Sequence, residues 1–362
     1  METTPGPHKA EKPLIIPIFI MNSGCPQHCI FCNQKIAAGN FAHEITKDIF
    51  DGEVASYLLW NKDKLRGVEI AFYGGSFTGL TPDYQKRLLS WADTYIQKGQ
   101  VDSIRISTRP DYIDDDQLIF LHTYGVRTIE LGAQSFNDEV LRFAGRGHNA
   151  QVTVKAIKSL RAHGFKIGLH LMAGLPRDTR KIFMETLART VELRPDTARI
   201  HPVLVFQDTP LADEFREGRY QPLGLDESVE WCRLAWEKLA PEGIRIIRFG
   251  LQTTPEMNQE GAVLAGPFHP SFGSLVYSAI FYSATLKLLG DIPKHVRKLH
   301  FQIAEHDLSN FRGFSNNNIE AIKKLYPDAQ IVIDSSRDGL TGHLLITTES
   351  GESFSLDIPG LT

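Results

Sequence analysis

The sequence predicts an α/β fold in which parallel strands alternate with helices. Six short runs rich in β-branched and aromatic residues occur at 14–21, 67–75, 102–108, 126–135, 166–175 and 198–206. Stretches with helical apolar spacing lie between them, at 44–61, 82–97, 114–123, 137–143, 150–163 and 178–193. This alternation implies parallel strands joined by right-handed crossovers. Periodicity alone fits either a barrel or a doubly wound open sheet.

The size and composition of the chain fit an ordinary globular protein. Its 362 residues, 42% of them hydrophobic, suffice for one large domain and a smaller one. No apolar run of the roughly 18 residues that a membrane helix needs is evident, so no membrane association is expected. The net charge of −4 argues against a broadly basic nucleic-acid surface. An RNA substrate stays an open alternative that the charge does not support.

We expect three regions along the chain: a flexible tail at 1–13, a large domain at 14–282 and a small α+β region at 283–362. The tail contains three of the prolines and mixed charges. In the last region, predicted strands at 298–304, 330–335, 343–348 and 353–357 surround a helix at 316–326.

Three of the four cysteines are crowded into "NSGCPQHCIFCNQ", at Cys25, Cys29 and Cys32. A disulfide would use two of them and leave the third cysteine unexplained. No secretory signal precedes them, so we expect a reducing, cytoplasmic location. A zinc site normally needs a fourth ligand, and the only other cysteine, Cys232, lies at apolar helical spacing that predicts a core residue.

Three thiolates without a fourth fit an iron–sulfur cluster with one open iron. Such clusters are held by cysteine thiolates, ordinarily one per iron, so three on a four-iron cluster leave one iron for an outside ligand. The C-x3-C-x2-C spacing resembles the radical S-adenosylmethionine (SAM) superfamily, which carries it after the first barrel strand. The resemblance implies a 4Fe-4S cluster on Cys25, Cys29 and Cys32 and SAM on the open iron. It also implies that Phe31 lies next to the adenine.

The same resemblance selects a barrel for the fold. It implies the partial (βα)6 TIM-type barrel of radical SAM enzymes, with a small C-terminal α+β extension. In such barrels the chemistry occurs at the C-terminal ends of the strands. The motifs that resemble those of the family all lie at these ends.

The second and third strands end in "YGGSFTGL" and "STRPDYI". Gly74 and Gly75 remove Cβ atoms where backbone has to approach a ligand closely. The resemblance implies that these glycines, followed by Ser76, hold the amino group of SAM. Ser107 stands where related enzymes usually have a glutamate that contacts the SAM ribose. A ribose contact from Ser107 would then be bridged by water or replaced by another group.

The fourth and fifth strands end in "ELGAQSFNDEVLRFAGRGH" and "GLHLMAGLPRDT". These stretches are similar to those of the Elongator catalytic subunit and the oxygen-independent coproporphyrinogen oxidases. The resemblance implies that Gln134 reaches the SAM ribose and that Arg146 faces the SAM carboxylate, where a guanidinium fork suits two oxygens. We also expect His170 to bind the cofactor; the alternative is a core histidine whose hydrogen bonds are satisfied within the protein. A histidine at this position indicates the Elongator-like branch.

The resemblance covers about residues 14 to 282. The Elongator catalytic subunit continues into an acetyltransferase domain, which we expect this chain to lack. Reductive cleavage of SAM to a 5′-deoxyadenosyl radical is the activity that the resemblance implies, with a flavodoxin- or ferredoxin-type protein as external electron donor. The sequence does not identify the substrate, and both tRNA and a small molecule stay open as substrate classes. No catalytic residue towards it can be named.

Two other functions are kept as alternatives. A radical SAM barrel can be reused as a non-enzymatic carrier of haem or another cofactor, with His201, His269 or His300 as an axial ligand. An electron-transfer iron–sulfur protein without SAM would need a fourth protein ligand, which the chain does not offer.

Overall fold

A computed structural model describes residues 13–20, 25, 29–37, 44–61 and 67–361, apart from the side chain of Gln34. The predicted flexible tail at 1–13 therefore lies outside the described residues except for Pro13. Residues 26–28, which are all of those between the first two cysteines of the triplet, also lie outside the described residues.

Strands are found wherever the sequence predicts them in the described part of the chain. They are β1 (Leu14–Phe19), β2 (Val68–Tyr73), β3 (Ser103–Thr108), β4 (Val126–Gln134), β5 (Lys166–Ala173), β6 (Thr197–Pro202), β7 (Val205–Phe206), β8 (Arg245–Phe249), β9 (Val263–Ala265), β10 (Lys298–Ala304), β11 (Gln330–Ser336), β12 (His343–Thr348) and β13 (Ser353–Asp357). A seven-stranded sheet has the order β1-β2-β3-β4-β5-β6-β8. The predicted parallel α/β fold is thus confirmed, with one strand more than the six that were expected.

The additional strand, β8, has the sequence "RIIRF" and pairs in parallel with β6. Its β-branched centre is typical of a strand. We missed it because a helix and a loop rich in Gly, Pro and His flank it. The predicted run at 198–206 is in fact two strands, β6 and the short β7.

The helices also follow the predicted stretches. They are α1 (Gln34–Ala37), α2 (Lys47–Trp60), α3 (Pro82–Gln97), α4 (Asp115–Thr123), α5 (Asp138–Phe143), α6 (Ala150–Ala162), α7 (Arg180–Leu193), α8 (Pro210–Arg216), α9 (Leu225–Leu239), α10 (Phe272–Leu289), α11 (Leu308–Arg312) and α12 (Asn317–Leu325). Several begin at a capping side chain. Asp114, Asn137 and Asn149 each accept a hydrogen bond from the backbone N–H three residues later, which satisfies a donor of the first turn.

The chain divides into two compact units. Unit 1 comprises Met1–Leu171, Phe206–Arg219 and Thr253–Leu264, and unit 2 comprises Met172–Val205, Tyr220–Gln252 and Ala265–Thr362. The division predicted from sequence, at 14–282 and 283–362, stays a prediction.

Unit 1 contains β1 to β4 and most of β5, which pair in parallel in chain order. Ile16, Ile70, Ile106 and Ile129 are fully buried on these strands. Near-continuous apolar runs of this kind are typical of parallel sheets that are covered on both faces.

Hydrogen bonds between charged or polar side chains nevertheless link four of these strands. Arg105 on β3 donates from Nε to Glu69 Oε2 on β2 at 2.8 Å and from Nη1 to Glu130 Oε1 on β4 at 2.7 Å. His170 Nε2 on β5 lies 2.6 Å from Glu130 Oε2. Burial by itself would lower the pKa of Arg105, but the charges of Glu130 and Glu69 raise it. This charge ladder (Glu69, Arg105, Glu130 and His170) ties β2 to β5 through side chains.

Unit 2 contains β6, β8 and the C-terminal strands. The latter form a mixed sheet of order β11-β10-β12-β13, in which only β10 and β11 pair in parallel. The predicted C-terminal α+β extension is confirmed. In α9, Cys232 is fully buried, as its apolar spacing predicts.

One helix corrects an expectation. By length and composition α10 is able to cross a membrane, since it has 18 residues with a mean hydropathy of 1.3. The expected absence of such a run was therefore wrong. Half of the helix is buried within the protein, and it packs on α9 and α11, as core helices do.

Replacing Arg105 with Met should destabilise the protein by about 3–5 kcal/mol, because Glu69 and Glu130 would then be buried without a counter-charge. Urea unfolding of the full chain measures this loss. Arg127→Met, at an exposed position of β4, is the matched control and should change the unfolding free energy by less than about 0.5 kcal/mol. A loss for Arg105→Met no larger than that of the control would contradict a stabilising ladder.

Candidate functional site

Polar side chains cluster after β2 and β3, where those two strands end. Gly74 follows β2 with a φ of 89°, a conformation that favours glycine. The buried Ser76 Oγ lies 2.9 Å from Thr108 Oγ1 and accepts a hydrogen bond from the backbone N–H of Arg109 at 3.3 Å. Ser76 therefore joins the ends of these neighbouring strands.

The end of β4 has an irregular backbone. Gln134 has a φ of 67°, and the pairing with β5 shifts register between Leu131 and Gln134. A non-glycine residue with positive φ is uncommon and costs conformational energy. The neighbouring Gly132 makes room here. A Cβ on it would lie 3.1 Å from Gln134 Nε2 and 3.3 Å from Arg146 Nη2.

Arg146 connects this strand end to the cysteine loop. Its side chain is buried, with Nη2 donating to Gly132 O and Nη1 donating to Cys29 Sγ at 3.2 Å. Its Nε is buried without a partner in the described part of the chain. A guanidinium fixed on a cysteine sulfur stabilises negative charge on that sulfur.

The second half of the cysteine loop is anchored by backbone hydrogen bonds. Ile30 N donates to Ala144 O at 3.2 Å, and Ile30 O accepts from Leu211 N at 2.9 Å. Cys32 N donates to Cys29 O at 3.0 Å, which turns the chain between these two cysteines. This part of the loop is held by its neighbours in unit 1.

The three cysteines differ in exposure. Cys29 is buried, Cys25 is half-buried and Cys32 is exposed. Among the described residues, no group of three or more His, Cys, Asp or Glu side chains is arranged to hold a metal. Residues 21–24 and 26–28, on either side of Cys25 in the sequence, lie outside that set.

The remaining predicted cofactor residues lie in unit 1, and each has different surroundings. Ser107 Oγ on β3 is buried, and no partner is found for it in the described ranges. Phe31 is half-buried in the turn before Cys32. His170 is bound to Glu130 in the charge ladder. Their contacts with a cofactor stay predictions.

His148, which sequence reasoning left unassigned, is half-buried, and its Nε2 is buried. Burial lowers its pKa to about 4, and the charge of Arg146 acts in the same direction. It is therefore neutral at physiological pH.

The donors present fit an iron–sulfur cluster and SAM. Soft thiolate ligands suit iron–sulfur clusters. The buried polar atoms that have no partner within the described residues include Arg109 Nη1, Arg146 Nε and Ser107 Oγ. Since buried polar groups are nearly always hydrogen-bonded, these atoms are suited to sulfur and carboxylate acceptors and to ribose hydroxyls.

Family models match most of the described chain. The model for the radical SAM superfamily matches residues 19–190, and the model for the radical SAM C-terminal domain matches residues 195–281. The chain belongs to the radical SAM superfamily. It is an enzyme of this superfamily, and its fold is the family's partial TIM barrel. The family implies a 4Fe-4S cluster and SAM.

Two relatives are similar over part of the sequence. A tRNA uridine(34) acetyltransferase of Methanocaldococcus jannaschii is 33% identical over 40% of this chain and 27% of that protein. The uncharacterized protein YtqA of Bacillus subtilis is 27% identical over 60% of this chain and 67% of that protein. The matched region thus spans about a quarter of the first relative and two thirds of the second.

The structure of archaeal Methanocaldococcus infernus Elp3 with an N-terminal deletion is also similar, with a TM-score of 0.57 and 21% identity. It covers 75% of this radical SAM chain and 64% of that one. At this identity the likeness shows the fold.

Sequence reasoning missed two features of the site. The charge ladder joins residues on different strands and leaves no local signal. Arg109 lies in the quoted "STRPDYI" motif but was given no role, although it is buried and donates from Nη2 to Arg146 O at 2.6 Å.

The histidines considered as haem ligands lie in unit 2 and have other contacts. His201 Nδ1 is 2.9 Å from Gly250 O, and His300 Nε2 is 2.7 Å from Asp334 Oδ2. His269 Nδ1 accepts from Ser271 N at 3.1 Å.

A half-buried carboxyl, that of Asp178, follows β5 in the "GLPRDT" motif, and its Oδ1 is fully buried. Asp178 Oδ2 accepts a hydrogen bond from Gly174 N at 3.1 Å, and Tyr220 Oη donates to Gly174 O at 2.6 Å. Burial raises the pKa of Asp178 from 3.8 to about 7, against the lowering effect of hydrogen bonds from Gly174 and Thr179. The carboxyl is therefore half-protonated near neutral pH.

Asp178 should make the protein less stable as pH rises. The stabilisation from its protonated form is complete below the unfolded pKa of 3.8 and is lost as pH rises through about 7. Asp178→Asn keeps an acceptor for Gly174 N but does not ionise. Its stability relative to wild type should increase by about 2–4 kcal/mol between pH 4 and pH 8, measured by urea unfolding. Asp226→Asn, at an exposed position, is the control, and an equal pH dependence in both variants would refute the expectation.

Proposed function

We propose that this enzyme binds a 4Fe-4S cluster through Cys25, Cys29 and Cys32 and cleaves SAM reductively. When bound, the cluster and SAM supply one-electron cleavage of a carbon–sulfur bond, giving methionine and a 5′-deoxyadenosyl radical that abstracts hydrogen from a substrate. The protein's own residues position the two groups and exclude water.

The observation that carries this proposal is the contact of Arg146 with Cys29. The guanidinium reaches from the end of β4 to a cysteine sulfur and is held there by Gly132 O. It therefore places a fixed positive charge at the junction of the cysteine loop and the strand ends. A cluster held by thiolates and a SAM carboxylate both need such a charge.

The other strand ends supply the remaining contacts in this proposal. The glycine pair Gly74 and Gly75 leaves backbone polar groups open to the amino group of SAM. Ser107 and Gln134 supply polar groups for the ribose, and Phe31 packs by the adenine. Ser76 supports these groups indirectly, since it bonds to the end of β3.

His170 takes a different place in the proposal from the other residues. Its bond to Glu130 fixes one ring nitrogen and so fixes the orientation of the imidazole. A ring held in this way is suited to orient SAM or the substrate.

The proposal extends to the partners. An external one-electron donor of the flavodoxin or ferredoxin type and a cytoplasmic location are parts of it. For the substrate, the similarity to tRNA uridine(34) acetyltransferases supports testing tRNA first, although the net charge of −4 gives no support for a broad RNA surface.

Replacing Cys25, Cys29 or Cys32 with Ala should abolish the four-iron chromophore or leave a three-iron species, and should abolish release of 5′-deoxyadenosine. The physical reason is that three thiolates suffice only when the fourth iron is left to SAM. Absorption and EPR spectra after anaerobic reconstitution report the cluster. Chromatography after reduction with dithionite in the presence of SAM reports the product.

Cys232→Ala is the matched control. Burial raises the pKa of the Cys232 thiol, which keeps it protonated and unreactive. This variant should retain the cluster and the cleavage of SAM. Loss of the cluster from a folded Cys232→Ala protein would contradict the open-iron proposal, and so would cluster-loaded wild-type protein that never cleaves SAM.

A further inference from the structure

A second buried arginine lies beside Arg146, which contacts the cysteine loop, and the function proposed above gives this second arginine no role. Arg109 follows β3 directly and is 3% exposed. Its Nη2 donates to Arg146 O at 2.6 Å. Its Nε and Nη2 also donate to the two carboxylate oxygens of Asp111, at 3.0 and 2.7 Å. Arg109 is thus fixed between an anion and the residue that contacts Cys29.

The charge of Arg109 acts on the cysteines. Burial alone would lower the pKa of Arg109, but Asp111 and, after it, the charges of Cys25 and Cys29 raise it. By Coulomb's law, a guanidinium bonded to the residue that contacts Cys29 favours the addition of negative charge at the cysteine loop. Because arginine stays protonated in proteins, this positive charge is permanent.

Both arginines have a donor that the described protein atoms do not satisfy. Arg109 Nη1 and Arg146 Nε are buried and have no partner within the ranges described. Since Asp111 occupies Arg109 Nε and shares Nη2 with Arg146 O, Nη1 is the donor that is left for an additional acceptor. Cluster and thiolate sulfurs are acceptors of the right charge.

We propose that Arg109 and Asp111 together set the reduction potential of the cluster held by Cys25, Cys29 and Cys32. Arg109 favours the reduced state and Asp111 limits that effect. This inference rests on the function proposed above. One electron from the external donor adds one negative charge at the cysteine loop, and no bond forms or breaks in that step. Nearby net charge and hydrogen bonds to sulfur are the means by which proteins adjust such potentials.

A purely structural role for the pair leads to a different expectation. The Arg109–Asp111 ion pair also holds the short turn after β3, so losing either partner would loosen the same turn. Structural damage would therefore affect both variants in the same sense. An electrostatic role requires opposite effects, because one variant removes a positive charge and the other removes a negative charge.

The test uses Arg109→Met and Asp111→Asn in the full chain, reconstituted anaerobically and studied without SAM. The midpoint potential is measured by poising the protein with mediators and recording the EPR signal of the reduced cluster. Arg109→Met should shift the midpoint to a more negative potential, and Asp111→Asn to a less negative one. Arg127→Met makes the same charge change at the beginning of β4, at the opposite end of that strand from Gln134, and should leave the midpoint unchanged.

Shifts of the same sign in both variants, or no shift in either, would overturn the proposal. If Arg109→Met fails to retain four irons, Asp111→Asn decides alone. That substitution preserves the shape of a partly exposed side chain, and an unchanged or more negative midpoint would overturn the proposal. Wild-type protein that binds no cluster would instead contradict the proposed function, so the two failures are distinguishable.

Discussion

The burial of arginine among parallel strands is the constraint on which the site depends. A buried guanidinium is tolerated only when anions or backbone oxygens surround it. Arg105 meets that need with two carboxylates on neighbouring strands. Arg146 meets it with Gly132 O and the sulfur of Cys29, and Arg109 with Asp111 and Arg146 O. Each solution ties together segments that are far apart in sequence.

These buried arginines differ in the hydrogen-bond donors that remain available to a ligand. The charge ladder through Arg105 uses its carboxylates fully among protein groups and stabilises the strands. The pair of Arg109 and Arg146, by contrast, retains donors without protein partners in the described region. Stability is therefore built into the middle of the strands and binding capacity into their ends, as is usual in barrels of this type.

The backbone at the end of β4 shows the cost of that arrangement. Gln134 adopts a positive φ and the register with β5 shifts beside it, while Gly132 keeps the space free of a Cβ. Strain of this kind persists only where the surroundings over-determine the conformation, and it is common at functional sites. The chain thereby brings the Gln134 amide and the Arg146 guanidinium to one place.

The sequence by itself determined the features that depend on neighbouring residues. Strand–helix alternation and the core position of Cys232 follow from local periodicity, and the interpretation of the cysteine triplet follows from its spacing and the number of thiolates. Only the tertiary structure decided that Arg146 reaches Cys29, 117 residues away, and that Arg105 bridges Glu69 and Glu130. The reason is physical: these contacts depend on the register and irregularities of strands that meet in space, which local propensity does not specify.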